Sequence, residues 1–216
     1  PTSSRFNLVS PTDRHVFLFG TETTIGSTST TDPLFLRWSS QEDYTTWTPT
    51  AVNTAGSFRI QDGSKIMAAT RSRGAILVWT DTSLHGMQFV GPPFTFSLSQ
   101  IGANCGAVSN HCVKDVNGIT YWMSQNSFFA FDGAVKKIPC SVQDYVFSDF
   151  NITTQPETYC GLNSEKNEIT WFYCSLNAQQ IDRYVTLNYL EQSWSIGTMA
   201  RTSWVDYGVY ENPYAT

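Results

Sequence analysis

At 216 residues the chain is long enough for one large all-β domain, or two small ones, with a sizeable core. Charged residues make up 14%, against roughly 25% in an average soluble domain, while aromatics reach 14% and Ser and Thr are abundant; such a surface is largely neutral, either covered by other subunits or solvated by hydroxyls. The net charge of −5, with 13 scattered Lys and Arg against 18 Asp and Glu, argues against a protein that grips nucleic acid by neutralising phosphates, and without 18 consecutive apolar residues no membrane span is predicted.

The predicted elements are nearly all strands, short apolar runs bounded by turn residues. The first are His15–Phe19 (HVFLF) and 34–38 (LFLRW). Between them the polar run 21–31 (TETTIGSTSTT) reads as a mobile loop, and 45–48 follows as a further strand. Next come 66–70, 75–79 after the turn Arg73-Gly74, and 84–90. A third group holds 111–116, 119–122 after Asn117-Gly118, 127–131 and, after Asp132-Gly133, 134–138. Asn-Gly is the strongest two-residue hairpin signal. The one helical pattern is 141–149, with Val142, Tyr145 and Val146 at i, i+3 and i+4. A fourth group runs through 158–162, the turn 165–168, 169–173, 183–189 and Ser193–Thr198. The segment 202–210 reads as the start of another unit.

The groups repeat. Trp79 to Trp122 is 43 residues and Trp122 to Trp171 is 49. A period of about 40–50 residues with several strands per unit is the sequence mark of a β-propeller, whose repetition lets neighbouring blades bury faces that no blade buries alone. The expected fold is therefore all-β and β-propeller-like. Three- to four-stranded antiparallel blades are expected at roughly 13–49, 65–100, 110–147 and 157–199, the first fainter than the others. Four blades are few for a closed ring, and the chain starts on Pro1 and ends on Thr216 without a stop signature. It reads as one propeller-like domain or as a portion of a larger one.

Several constellations are candidates for chemistry. The stretch 40–47 (SQEDYTTW) resembles a degenerate Asp-box, the turn of sialidase-like propellers. Ser40, Thr46 and Trp47 match it; Glu42 stands where Asp is expected and Tyr44 where Gly is expected. Its structural reading is a self-bonded hairpin with Trp47 plugged between blades, and Trp79, Trp122 and Trp171 are the other expected inter-blade anchors. Glycoside hydrolysis needs two flanking acids. Asp43, Asp81, Asp115, Asp132, Asp144 and Asp149 are available, with Arg37, Arg59, Arg71 and Arg73 to clamp a carboxylate, yet most of these acids sit beside turn residues, where Asp ordinarily occurs. His15, His85 and His111 lack any nucleophile-elbow motif, and no phosphate-binding glycine loop is present. Cys105, Cys112, Cys140, Cys160 and Cys174 lack zinc-site spacing and read as free, mostly buried thiols; His111 and Cys112 with Cys105 are the nearest thing to a metal cluster. Asn151-Ile-Thr153 is a glycosylation sequon by pattern. No catalytic residue, metal or cofactor is predicted.

Read in order, a series of motifs is similar to one family. They are 37–49 (RWSSQEDYTTWTP), 76–81 (ILVWTD), 87–93 (MQFVGPP), 117–123 (NGITYWM), 131–133 (FDG), 182–185 (DRYV), 188–190 (NYL) and Trp194. The set resembles the tail-nozzle, or packaged-DNA stabilisation, proteins of short-tailed bacteriophages, from about residue 14 to 206. The resemblance implies a propeller-containing fold without enzymatic activity. It implies a ring, typically a hexamer, below the portal and adaptor rings of the virion tail, made in the bacterial host cytoplasm. The ring would contact a tail fibre or needle, retain the packaged genome, and touch passing DNA only transiently and without sequence preference. A sialidase-like or glycan-binding β-propeller is the alternative reading.

Overall fold

The computed structural model describes residues 1–10, 12–206 and 213–216. The fold is all-β and propeller-like: four four-stranded antiparallel sheets follow one another in sequence, each a simple meander. The chain divides into two compact units, Pro1–Gly106 and Ala107–Thr216.

In the first unit, β1 (Phe6–Ser10), β2 (His15–Phe19), β3 (Phe35–Trp38) and β4 (Gly56–Arg59) form one sheet. The other contains β5 (Ile66–Ser72), β6 (Ala75–Thr80), β7 (Ser83–Gly91) and β8 (Thr95–Ala103). Alternation sets the inward face: on β2, His15, Phe17 and Phe19 are buried while Val16 and Leu18 are half-buried. These aromatics, with Leu36 and Trp38, meet Ile66, Ile76, Val78, Met87 and Phe96 of the second sheet in one core cluster. Phe96 is its hub, edge-on to Phe17 at 5.2 Å and to Trp38 at 5.3 Å. Burying each such side chain contributes about 1.5–3 kcal/mol.

The first sheet is as complete as the rest, and its limits differ from the expected 13–49. Residues 45–48 form no strand, because the Thr45 amide and hydroxyl both bond Asp43 and close the backbone locally before it can pair. The fourth strand is β4, which Gly56 opens because the Trp38 indole occupies the space a Cβ would need. The first strand, β1, lies outside the expected unit altogether. The polar run 21–31, expected to be mobile, is tied down by a Glu22–Thr31 bridge, a 3-10 turn at Thr28–Thr30 and a set of side-chain bonds.

The second unit contains β9 (Val113–Val116), β10 (Ile119–Met123), β11 (Phe128–Phe131) and β12 (Val135–Ile138) in one sheet. Between β9 and β10, Asn117 and Gly118 both take positive φ, 54° and 81°, the hairpin turn that Asn-Gly predicts. Helix α1 (Gln143–Ser148) follows, two residues shorter at its start than the expected 141–149, and only Val146 of it is fully buried. The next sheet is β13 (Tyr159–Asn163), β14 (Glu168–Tyr173), β15 (Arg183–Asn188) and β16 (Ser193–Thr198). The two sheets are joined at their first strands, where Cys160 N–H donates to the His111 carbonyl at 2.9 Å beside a parallel His111–Tyr159 bridge. Trp171 reaches across from β14. Its indole N–H donates to the Cys112 carbonyl at 2.9 Å, and its ring lies 4.9 Å from Phe128 and 6.3 Å from Trp194.

A short pair, β17 (Trp204–Val205) and β18 (Tyr214–Ala215), lies against β13. Trp204 donates to the Leu162 carbonyl at 2.6 Å, as Trp171 does to Cys112. The ring covers Gly161, where an added Cβ would come within 2.7 Å of it. The expected unit at 202–210 thus has its first strand at Trp204–Val205; residues 207–210 lie outside the described residues. No helix among the described residues is long and apolar enough to cross a membrane.

Candidate functional site

The residues singled out in the sequence separate into distinct structural roles. Ser40, Asp43 and Thr46 do make a self-bonded turn: Ser40 N–H donates to the Thr46 carbonyl at 2.8 Å and Asp43 N–H to the Ser40 carbonyl at 3.2 Å. The Thr45 hydroxyl, then that of Thr46, holds the Asp43 carboxyl down at about 2. Trp47 is half-buried, and its indole N–H donates to Tyr44 of the same turn at 2.7 Å. Trp79, Trp122 and Trp171 are fully buried.

The expected acids are each engaged by their own surroundings. Asp81 accepts from the Ser64 amide at 2.7 Å and the Ser64 hydroxyl, and Asp115 from Gly118 N–H at 3.0 Å and the Thr120 hydroxyl at 2.8 Å. Asp132 pairs with Lys136 at 2.6 Å. Asp144 lies in the first turn of α1. The acid pair that the fold does bring together is Asp149 with Asp182, whose Oδ2 atoms lie 3.3 and 4.0 Å from Arg183 Nε. Buried Tyr173 is beside them, and burial first, then the Asp149 charge, pushes its phenol pKa up. Asp182 is already occupied, accepting from the Ser175 amide and hydroxyl at 2.8 Å each. Sequence reasoning named Asp149 as a candidate acid and Asp182 and Arg183 only within the 182–185 motif; their adjacency to Tyr173 depends on pairing across β14 and β15, which that motif alone does not encode.

Arg37, Arg59 and Arg71 are each engaged by their own surroundings. Arg59 pairs with Asp32 at 2.7 Å and Arg71 donates to the Thr12 hydroxyl at 2.6 Å. Arg37 is buried, donating to the carbonyls of Thr23 at 2.9 Å, Trp47 at 3.3 Å and Glu22 at 3.4 Å. His15 and His85 are buried, and desolvation lowers the pKa of each. None of the five cysteines is in a disulfide; four are buried and Cys140 is half-buried, and Cys105 belongs to the first unit and Cys112 to the second. Among the described residues no group of three or more His, Cys, Asp or Glu is placed to hold a metal. Asn151, the sequon residue, is buried and caps a 3-10 turn by accepting from Thr153 N–H at 3.0 Å.

Glu22 is a functional anchor that the sequence did not single out. Its buried carboxylate accepts from the amides of Thr2 at 2.6 Å, Ser3 at 2.9 Å and Gly26 at 3.1 Å, and from the Ser3 hydroxyl at 2.9 Å. Burial opposes ionisation, but these donors outweigh it and bring the pKa from 4.5 to about 2. The ionised form is the one the fold favours. This contribution to stability is therefore complete above about pH 4.5 and disappears as pH falls toward 2. Glu22→Gln should release the N-terminal segment, so that trypsin cuts after Arg5 several-fold faster at neutral pH. The stability difference from wild type should shrink as pH falls through that window. Equal cleavage rates for the two proteins would contradict the anchoring role.

Open surfaces remain in each unit. A groove of about 240 Å³ lies on the β13–β16 sheet, walled by Thr170, Thr186, Ser195, Phe172, Tyr184 and Trp204. In the first unit, the tip of the β7–β8 hairpin exposes Phe89, Val90 and Phe94. Beside it a groove of about 310 Å³ runs past Trp38 and Phe58. No family model matches the chain, and no curated protein is found similar to it.

Proposed function

We propose that the chain is a structural subunit of a bacteriophage tail, part of the nozzle below the portal and adaptor that retains packaged DNA and conducts it out at ejection. The observation that carries this reading is the role of the motif residues that suggested the family. Trp38, Trp79 and Trp122 are buried in cores, Asn117-Gly118 is a hairpin turn, and Asp182 clamps Ser175. They make shape, and repeated sheets that pack through such residues make a wall.

The electrostatics support the same reading. Arg14, Arg59, Lys136 and Arg183 each pair with a carboxylate, and Arg37 is buried. These are five of the 13 Lys and Arg, and each phosphate contact they forgo lowers the affinity that would slow passage. The partners of the proposed subunit are other copies of itself in a ring, six in number by the family resemblance alone, together with the adaptor and portal-side proteins, a tail fibre or needle, and passing DNA.

Negative-stain images and sedimentation of the protein with its adaptor should show rings. A strictly monomeric protein under those conditions would overturn the assignment. The groove beside Trp204 favours one competing reading, a glycan-binding propeller, because hydroxyls beside aromatic rings are what a sugar requires. Binding on a glycan array that Trp204→Ala abolishes would establish that reading instead.

A further inference from the structure

Among the described residues, the last strand of each sheet leaves one edge without a neighbouring strand. An open edge is a template for pairing with another chain, and proteins ordinarily blunt it with short length, charge or proline. Two of the four last strands follow that rule. β4 has four residues and ends in Arg59, and β12 has four residues, two of them the exposed Lys136 and Lys137. The other two do not. β8 has nine residues and β16 has six, and neither contains a charged residue or a proline.

These two edges also share one pattern. Phe96-Ser97-Leu98-Ser99 in β8 matches Trp194-Ser195-Ile196-Gly197 in β16. In β8, Phe96 and Leu98 face the apolar cluster of the first unit while Ser97 and Ser99 are exposed. In β16, Trp194 lies on Phe128 at 4.7 Å while Ser195 is exposed on the opposite face. One such edge lies in each unit.

We propose that β8 of one copy pairs antiparallel with β16 of the next copy, joining their sheets head to tail. Placing Ser97 opposite Ser195 puts Phe96 opposite Ile196 and Leu98 opposite Trp194, so the apolar faces continue across the joint. Aromatic–β-branched pairs on one face and hydroxyl pairs on the other are favourable cross-strand combinations. The occupant is a second copy because the match is between two edges of the same chain. Each chain carries a net charge of −5, and these edges let two copies meet without opposing like charges. The pairing deepens the structural-subunit reading and rests on it at one point: a ring requires a heterologous contact, whereas pairing of like edges is isologous.

The test places charges at Ser97 and Ser195, both exposed, so that far-UV circular dichroism and the thermal midpoint should be unchanged. Sedimentation of the wild-type chain should show association beyond the dimer. In S97K/S195K, lysines face each other across every joint, and association should weaken roughly tenfold or more. In S97E/S195K, opposite charges face each other, and association should persist and become salt-sensitive. Persistent assembly of the double-lysine protein would remove the edge assignment and leave the subunit reading standing. Loss of assembly in both variants would exclude the head-to-tail arrangement, because pairing of like edges opposes Glu to Glu and Lys to Lys. A wild-type protein that stays monomeric even with its adaptor would overturn both.

Discussion

Trp171→Ala should destabilise the protein by about 3–5 kcal/mol, the range for emptying a large aromatic site in a core. The side chain is fully buried, packs on Phe128 and Trp194, and donates its indole proton to Cys112 across the gap between two sheets. Trp171→Phe separates the two contributions. It keeps most of the apolar contact and removes only the donor, so a smaller loss of about 1–3 kcal/mol is expected. Trp47→Ala is the control, because that ring is half-buried and bonds its own turn; its cost should stay below about 1 kcal/mol. Guanidinium denaturation followed by far-UV circular dichroism measures all three. If Trp171→Ala cost no more than Trp47→Ala, inter-sheet anchoring would not depend on the buried tryptophans, and the reading of the tryptophan repeat as architecture would lose its support.

What the sequence made legible is what local signals encode. The strands β2 and β16 fall where their apolar runs place them, and β6, β10 and β14 extend their runs by only a residue or so, because Gly74, Asn117-Gly118 and Asn167 fix the turns before them. β1 and β4 were not legible. Gly56-Ser-Phe-Arg59 has little strand propensity, and its glycine is dictated by Trp38, a residue 18 positions earlier. The same limit hides the polar sites. Glu22 is explained by Thr2 and Ser3, some 20 residues away, and Asp149 by Arg183 on another element. Trp47 and Trp194 both fall in the motif series, yet Trp194 packs on Phe128 and Trp171 while the Trp47 indole bonds its own turn. The uncharged edges of β8 and β16 were readable as composition, but their meaning needed the sheet order that makes them edges.

Arg37→Ala should cost about 3 kcal/mol, and it separates the two functional readings. Burial lowers the pKa of this guanidinium and the Glu22 charge raises it, so the cation sits in the fold because its surroundings compensate it. Its donors fasten the loop at Glu22 and Thr23 and the turn at Trp47 to β3. Removing it leaves the buried Glu22 carbonyl, and the part-buried Thr23 and Trp47 carbonyls, without a charged donor, and buried polar groups so stranded cost about 1–3 kcal/mol. The double variant Arg37→Ala with Glu22→Gln should lose less than the sum of the single losses, with a coupling of about 0.5–3 kcal/mol, because each residue compensates the other. A sialidase-like carboxylate clamp predicts the opposite pattern. An arginine held ready for a ligand can be removed with binding lost and stability retained. An unchanged thermal midpoint for Arg37→Ala, together with loss of an acidic-sugar ligand, would therefore move the protein from structural subunit to glycan binder.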